Sequence, residues 1–243
     1  MFKAVIDAGF TCPNKDGKKG VGGCVFCRGG SGYFTGDPEN SVFAQLDAET
    51  ERIRRKNPNA GIIAYFQANT NTYAPVEVLK RTYFPLAESK KADGISIGTR
   101  ADCISEEIAD FLQELSQMTD LTVELGMQTI HDATLIAMNT GCLHKEFLDG
   151  YYRLKDRNIR TCLHIINGLP GETADMMIET VRETAKLFPD AVKIQLLHVL
   201  EGTALAELYL QEKVRTMERE EYISLVTKQL ELLPPEVVVE RIT

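Results

Sequence analysis

No run in this 243-residue chain approaches the roughly 18 consecutive apolar residues that a membrane-spanning helix needs, which excludes an ordinary helical anchor and predicts a soluble protein. A secretory signal is missing as well. Met1 leads straight into FKAVIDAGF, without a basic start, an apolar middle or a small-residue cleavage site, so a cytoplasmic location is expected. Positive charge is not in surplus either: 27 Lys and Arg stand against 35 Asp and Glu, a net charge of -8. That balance argues against a surface coated for nucleic acid. The local run RIRRK, Arg52 to Lys56, reads first as a solvated helix face and second as a patch able to touch phosphates. Repeats, low-complexity tracts and linkers are absent, so one domain over 1–243 is the simplest organisation.

What is present is an alternation. From Ala60 onward, β-branched or apolar runs (GIIAYF, GISIG, LTVEL, RTCLHII and VKIQLLHVL) are separated by amphipathic stretches, and VID near the N-terminus supplies a sixth strand. After Ser105, a plausible N-cap followed by Glu106 and Glu107, residues Ile108, Phe111, Leu112, Leu115 and Met118 form one helical stripe. After Gly171, Met177, Val181, Thr184 and Phe188 do the same. The 76–90 segment is less regular because Pro85 should kink or end a helix there. Strand and helix in strict alternation imply a parallel sheet, and six units fit an incomplete α/β barrel or an open doubly wound sheet. In either, working groups belong at the C-terminal ends of the strands. PPEVVVERIT ends the chain on a strand-like run with no polar tail, as if a further element followed.

The cysteines do not follow the alternation. Three of the six sit in FTCPNKDGKKGVGGCVFC, Phe10 to Cys27, a segment with neither helical nor strand period. A metal cluster needs thiolates converging from backbone that turns sharply, and glycines let main chain approach an inorganic core. Cys12, Cys24 and Cys27, spaced C-x11-C-x2-C, supply three ligands and leave a four-metal cluster one position short. An open position on a metal is where a substrate or cofactor binds. The competing readings are a structural zinc in a non-catalytic binding module and buried thiols. A zinc site wants a fourth ligand at short spacing, and none follows Cys27 before Cys103. Cys103, Cys142 and Cys162 read as small core residues.

The loop ending in CVFC resembles the cluster motif of radical S-adenosylmethionine (SAM) enzymes, in which an aromatic, here Phe26, precedes the last cysteine. More narrowly, FTCPNKDG, GGCVFC, AYFQANTNTYAP, SIGTRADC, ELGMQTIHDATL, HIINGLPGE and LLHVLEGT, in that order from about Asp7 to Thr243, resemble the YhcC and YtqA group. That group is related to the elongator catalytic subunit and to oxygen-independent coproporphyrinogen oxidase. The resemblance implies a partial (β/α)6 TIM-like barrel of the radical SAM type, with N- and C-terminal extensions missing from 1–243. It further implies a 4Fe-4S cluster on Cys12, Cys24 and Cys27, whose fourth iron chelates S-adenosyl-L-methionine. An electron passed from a donor such as flavodoxin or ferredoxin cleaves the cofactor to methionine and a 5′-deoxyadenosyl radical. The implied substrate is a wobble-uridine side chain of tRNA, with a non-RNA substrate as the alternative; no membrane partner is implied.

Candidate cofactor contacts follow at the strand ends. In LTVELGMQ, Glu124, Gly126 and Gln128 share a face by the period of two, suited to a ribose or amino-acid moiety or to a polar layer inside a barrel. RTCLHIINGLPGET reads as strand, turn and helix start, nominating Asn167 and Gly168 to line a flat ligand. His164 within it matches a position that contacts the cofactor ribose in related enzymes, although a lone strand histidine is also a common core residue. Asn69, Thr70 and Asn71 fall near the cofactor's amino group by resemblance, or form a capped turn. Arg100 is placed to meet a carboxylate bidentately or to form a surface ion pair. Gln195 and His198, of opposite parity on the last strand, are substrate candidates of which at most one faces inward. Where the related proteins carry N-R-G-H, this chain has Asn139, Thr140, Gly141 and Cys142; the missing arginine is a partner of the cofactor carboxylate, and Arg100 is the candidate substitute.

Overall fold

Each strand pairs in parallel with the next strand in the chain. The structure, a computed structural model, describes residues 1–28 and 36–242. Among them, β1 (Phe2–Ile6), β2 (Ile62–Phe66), β3 (Gly94–Thr99), β4 (Asp120–Gln128), β5 (Arg160–Asn167), β6 (Ala191–Leu196) and β7 (Val238–Ile242) form one sheet in sequential order. The crossovers carry α1 (Val42–Lys56), α2 (Val76–Ser89), α3 (Glu106–Ser116), α4 (Asp132–Ala137), α5 (His144–Lys155), α6 (Ala174–Leu187), α7 (Ala204–Leu210) and α8 (Arg219–Leu232). The sheet curls into a partial barrel with the helices outside. The expected six strands are joined by a seventh, because the VVVERI run pairs along β6. None of the described helices is long and apolar enough to cross a membrane.

The helix stripes become the core. Ser105 caps α3 by accepting from Ile108 N at 3.2 Å, and Phe111, Leu112 and Leu115 are buried beneath it. On α6 the buried positions are Met177, Thr180, Val181 and Thr184. Phe188 departs from its expected place: it is the left-handed C-cap of α6 and is 65% exposed, because the helix ends one residue before its ring would turn inward. Pro85 does not end α2, which runs on to Ser89. It lies on the exposed face of that helix, where the carbonyl it leaves without a donor meets water. In α1, Arg52, Arg54, Arg55 and Lys56 are exposed and Ile53 is buried, the solvated face expected of RIRRK, with Arg52 and Arg55 paired to Glu49 and Glu51.

Gly150 fixes how α5 approaches the segment after β3. A Cβ there would collide with the backbone carbonyl of Ala101, which cannot swing aside. Gly150→Ala is therefore expected to destabilise the chain by about 1–3 kcal/mol in urea unfolding, despite alanine's better helix propensity.

Candidate active site

The cysteine loop is built from tight turns tied to the rest of the fold. The Cys12 carbonyl accepts from Lys15 N (2.9 Å) and Asp16 N (3.2 Å), and Cys27 N donates to the Cys24 carbonyl at 2.9 Å. Asn14 is the clamp. Its Nδ2 donates to the Asn139 carbonyl at 2.6 Å and approaches Cys24 Sγ at 3.6 Å, and Asn139 answers by donating to the Gly23 carbonyl at 2.8 Å. Asn14 Oδ1 lies where a Cβ on Gly20 or Gly141 would go, so both glycines are needed for the carboxamide to fit. At the far end of the loop, Val25 N donates to the Met138 carbonyl and receives Leu205 N on its own carbonyl. Phe26 packs there against the cluster of Met138, Leu169, Leu197 and Leu205.

Cys12, Cys24 and Cys27 open into one cleft of about 290 Å³ at the C-terminal ends of β2 to β5, lined also by Phe26, Tyr65, Asn69, Thr70, Arg100, Glu124, Gly126, Gln128 and His164. Burial, then the neighbouring Cys27, pushes the Cys24 thiol up to about 11 against the opposing pull of Arg100 and Asn14. Holding Cys24 as a thiolate therefore calls for a cation beside it. Among the described residues, Glu124, Cys162 and His164 bring three ligand atoms within 4.8 Å of one another.

The cleft walls offer unsatisfied polar groups. Thr70 Oγ1 and Gln128 Oε1 are buried with no partner, as a ligand-binding surface requires. Gln128 reaches the cleft through an irregularity that the simple period of two does not contain: the β4–β5 register shifts between Gly126 and Gln128, and Gln128 has φ 66°. Asn69 is also left-handed (φ 59°); its Nδ2 holds the Phe10 carbonyl, and its Oδ1 accepts from Lys15 Nζ at 2.6 Å. Arg100 grips Asp102 through Nε (2.9 Å) and Nη2 (2.8 Å) and donates from Nη1 to the Thr140 carbonyl at 2.6 Å. Burial opposes its charge, but Asp102 prevails and the guanidinium stays firmly protonated. Three of its five N–H groups are engaged, leaving one on each Nη for a ligand.

Glu124 is the charged centre of the barrel. Its Oε1 accepts from Lys3 Nζ and Ser96 Oγ, each at 2.6 Å, and its Oε2 from Tyr65 OH (3.0 Å), His164 Nε2 (2.7 Å) and Lys193 Nζ. Burial alone would raise its pKa; His164, Lys193 and Lys3 overcome that and hold the carboxylate well below its ordinary range. Burial lowers the His164 pKa. The polar layer and the candidate site thus share Glu124, with Tyr65 and His164 as the cleft floor.

Other expected contacts are elsewhere. Asn71 is fully buried and donates to the carbonyls of Phe66, Ala68 and Gly98, so it ties the turn together without lining the cleft. Asn167 is locked to Gln229 of α8 by reciprocal amide bonds of 2.7 and 2.8 Å. Gly168 borders a separate cavity of about 850 Å³ toward α6 and α8. Gln195 and His198 do not line the cysteine cleft; β6 ends at Leu196, and His198 is exposed beyond it. Cys162 is buried as expected. Cys142 instead lines the cleft, and Cys103 borders a neighbouring surface cavity; burial pushes both thiols up to about 12. Thr140 uses its hydroxyl within its own turn, to the carbonyls of Leu135 and Cys142, and only its backbone carbonyl meets Arg100.

Asn14, Lys3, Tyr65, Asp102, Lys193 and Glu240 were not anticipated from the sequence. Lys193 carried the clearest signal, a lysine in the middle of an apolar strand; Asp102 is a local partner, two residues from Arg100, and the others become partners only through long-range folding.

Residues 16–184 match the Radical SAM superfamily model and residues 189–243 the Radical_SAM C-terminal domain. The chain is 43% identical over its whole length to YtqA of Bacillus subtilis, covering 76% of that protein, and 32% identical to YhcC of Escherichia coli, covering 78%. A tRNA uridine(34) acetyltransferase of Methanocaldococcus jannaschii is 25% identical across 98% of the chain, which spans 50% of it. Among solved structures, Elp3 of Methanocaldococcus infernus with an N-terminal deletion gives a TM-score of 0.72 at 24% identity over 84% of the chain and 53% of that structure. Coproporphyrinogen III oxidase (HemN) of Escherichia coli gives 0.61 at 18% identity over 93% of the chain and 51% of that structure. At these identities the structural likeness is one of fold, and the chain spans about half of each solved structure.

Proposed function

Because the chain belongs to the radical SAM superfamily of enzymes, we propose that Cys12, Cys24 and Cys27 hold a 4Fe-4S cluster and that S-adenosyl-L-methionine occupies the adjoining cleft. The observation that carries this is the meeting of three thiols with the unpartnered Thr70 Oγ1 and Gln128 Oε1 in one cleft. When bound, the cluster supplies the electron that cleaves the carbon–sulfur bond of the sulfonium to methionine and a 5′-deoxyadenosyl radical.

The protein's share is orientation and exclusion of water. Arg100 offers its two remaining Nη hydrogens to a carboxylate, in the role that an arginine at position 140 would fill. Gln128 Oε1 accepts from an amine or hydroxyl, Thr70 Oγ1 donates or accepts beside it, and Phe26, backed by Met138 and Leu205, keeps water from the loop. The electron comes from a separate carrier such as a flavodoxin or ferredoxin.

The substrate class favoured is a wobble-uridine side chain of tRNA. It is supported by the two archaeal tRNA uridine(34) acetyltransferases among the relatives, at 25% and 24% identity. Comparing tRNA nucleosides by mass spectrometry with and without the gene tests it: a wobble nucleoside is expected to lose mass or disappear on deletion. Unchanged wobble positions would remove the RNA substrate and leave the cleft chemistry to its own test.

A further inference from the structure

The barrel is closed at its N-terminal mouth by charges that also reach the cleft. The β6–β7 register shifts beside Lys193, pairing Val192 with Val239 and Lys193 with Arg241, so Glu240 is the extra residue. Its carboxylate takes Lys3 Nζ at 2.6 Å and lies 3.8 Å from Lys193 Nζ. Lys3 on β1 and Glu240 on β7 thereby join the two edges of the sheet. Both lysines also bind Glu124, whose Oε2 meets His164 Nε2. Lys3, Ser96, Lys193 and Glu240 border a cavity at the N-terminal mouth, whereas Glu124, Tyr65 and His164 border the cysteine cleft. One layer of side chains separates the two.

We propose that Lys3, Lys193 and Glu240 act as positioning residues which, through Glu124, hold His164 as a neutral imidazole with its proton on Nε2 and its Nδ1 lone pair available to the cleft. An ionised carboxylate can only accept, so the nitrogen facing Glu124 carries the hydrogen. Nδ1 has no partner among the described residues and is left as an acceptor for a hydroxyl or N–H of whatever occupies the cleft. A second proton on the ring would be attracted by Glu124 but repelled by the two ammoniums behind it, and Glu240 partly cancels that repulsion. The other titratable groups beside the ring are Cys162, whose sulfur lies within 4.8 Å of it, and, on the cleft side, Arg100 and the cysteines; Tyr65 is a neutral hydrogen-bond donor. Burial acts in the same sense as the lysines.

The inference depends on the cofactor reading only for the identity of the donor that Nδ1 meets, and its test is read in iron-free protein. The full chain labelled with ¹⁵N-histidine carries only four histidines, so His164 is assigned by comparison with His164→Gln. The wild type is expected to show the Nε2–H tautomer at pH 7. Lys3→Met is expected to move the His164 titration upward and Glu240→Gln to move it downward, whereas Lys3→Arg leaves it in place. Opposite shifts from two substitutions at one ion pair are not produced by loosened packing. A doubly protonated or Nδ1–H His164 at pH 7 would overturn the proposal, as would shifts of the same sign, or none, in the two variants. Glu240→Gln alone retains the test should Lys3→Met fail to fold, since any upward movement or none contradicts the proposal.

Discussion

Cys24→Ser is expected to bring bound iron from about four atoms per chain to background, to remove the broad absorption near about 400 nm, and to abolish formation of 5′-deoxyadenosine from S-adenosyl-L-methionine. The cause lies in the donor set. Cys24 is half-buried, and desolvation with the neighbouring Cys27 pushes its thiol up to about 11, so at neutral pH this thiol is protonated in the iron-free protein. Metal binding must expel that proton, and cluster assembly is accordingly less favourable as the pH falls. Serine keeps the volume and a hydrogen-bonding atom for Asn14 but offers an alcohol whose deprotonation is harder still. Cys142→Ser is the informative companion. Cys142 lines the same cleft without belonging to the turn-rich loop, and its substitution is expected to leave the iron in place. Iron loss in both variants would mean a four-thiol site with no open position for a cofactor.

Glu124→Gln is expected to destabilise the fold by about 3–5 kcal/mol, read as a lowered urea midpoint at neutral pH. Removing one partner of a buried ionic cluster leaves the others uncompensated. Here the others are Lys3 and Lys193, with Lys193 only 3% exposed. Adding Lys193→Met to Glu124→Gln is expected to recover part of the loss, because the second substitution removes the stranded charge. The pH dependence has a definite sign. The carboxyl of Glu124 is held well below its ordinary range in the folded state by His164, Lys193 and Lys3. Its contribution is thus fully present above the unfolded value of about 4.3 and is lost as pH falls through the lower folded value. The gap between wild type and Glu124→Gln is widest near neutrality and narrows only in that acid range. A constant gap from pH 7 down into strong acid would show that Glu124 acts through packing and not through charge.

The architecture was legible because strand and helix periods are local. LTVEL and RTCLHII each declare a buried strand, VKIQLLHVL declares one that stops at Leu196, and Ser105 with Glu106 and Glu107 declares a helix start that the structure contains. The same patterning was silent about β-bulges. The shift beside Gly126 and Gln128 and the extra residue at Glu240 both re-aim side chains, and neither leaves a mark in the hydrophobic pattern. Pro85 was overestimated because a proline on the solvent face of a helix leaves no buried group unsatisfied.

The candidate site was legible in proportion to how closely its residues cluster along the chain. The cysteine loop carries its three thiols in one short segment, so spacing alone nominated it. Asn71 and Asn167 looked similar to Asn69 on paper, yet the Asn71 Nδ2 is taken by backbone carbonyls and the Asn167 carboxamide by Gln229. Glu124, His164, Lys3 and Lys193 come from four different strands. Their mutual neutralisation is a property of the curled sheet, visible in the sequence only as isolated polar residues where packing would favour apolar ones.

The most direct test of the account is the electron paramagnetic resonance spectrum of the anaerobically reconstituted, dithionite-reduced full chain with and without S-adenosyl-L-methionine. Three thiolates leaving one iron open predict a 4Fe-4S signal that changes on addition of the cofactor, accompanied by 5′-deoxyadenosine. Zinc in place of iron, or a cluster signal indifferent to the cofactor with no nucleoside formed, would contradict it.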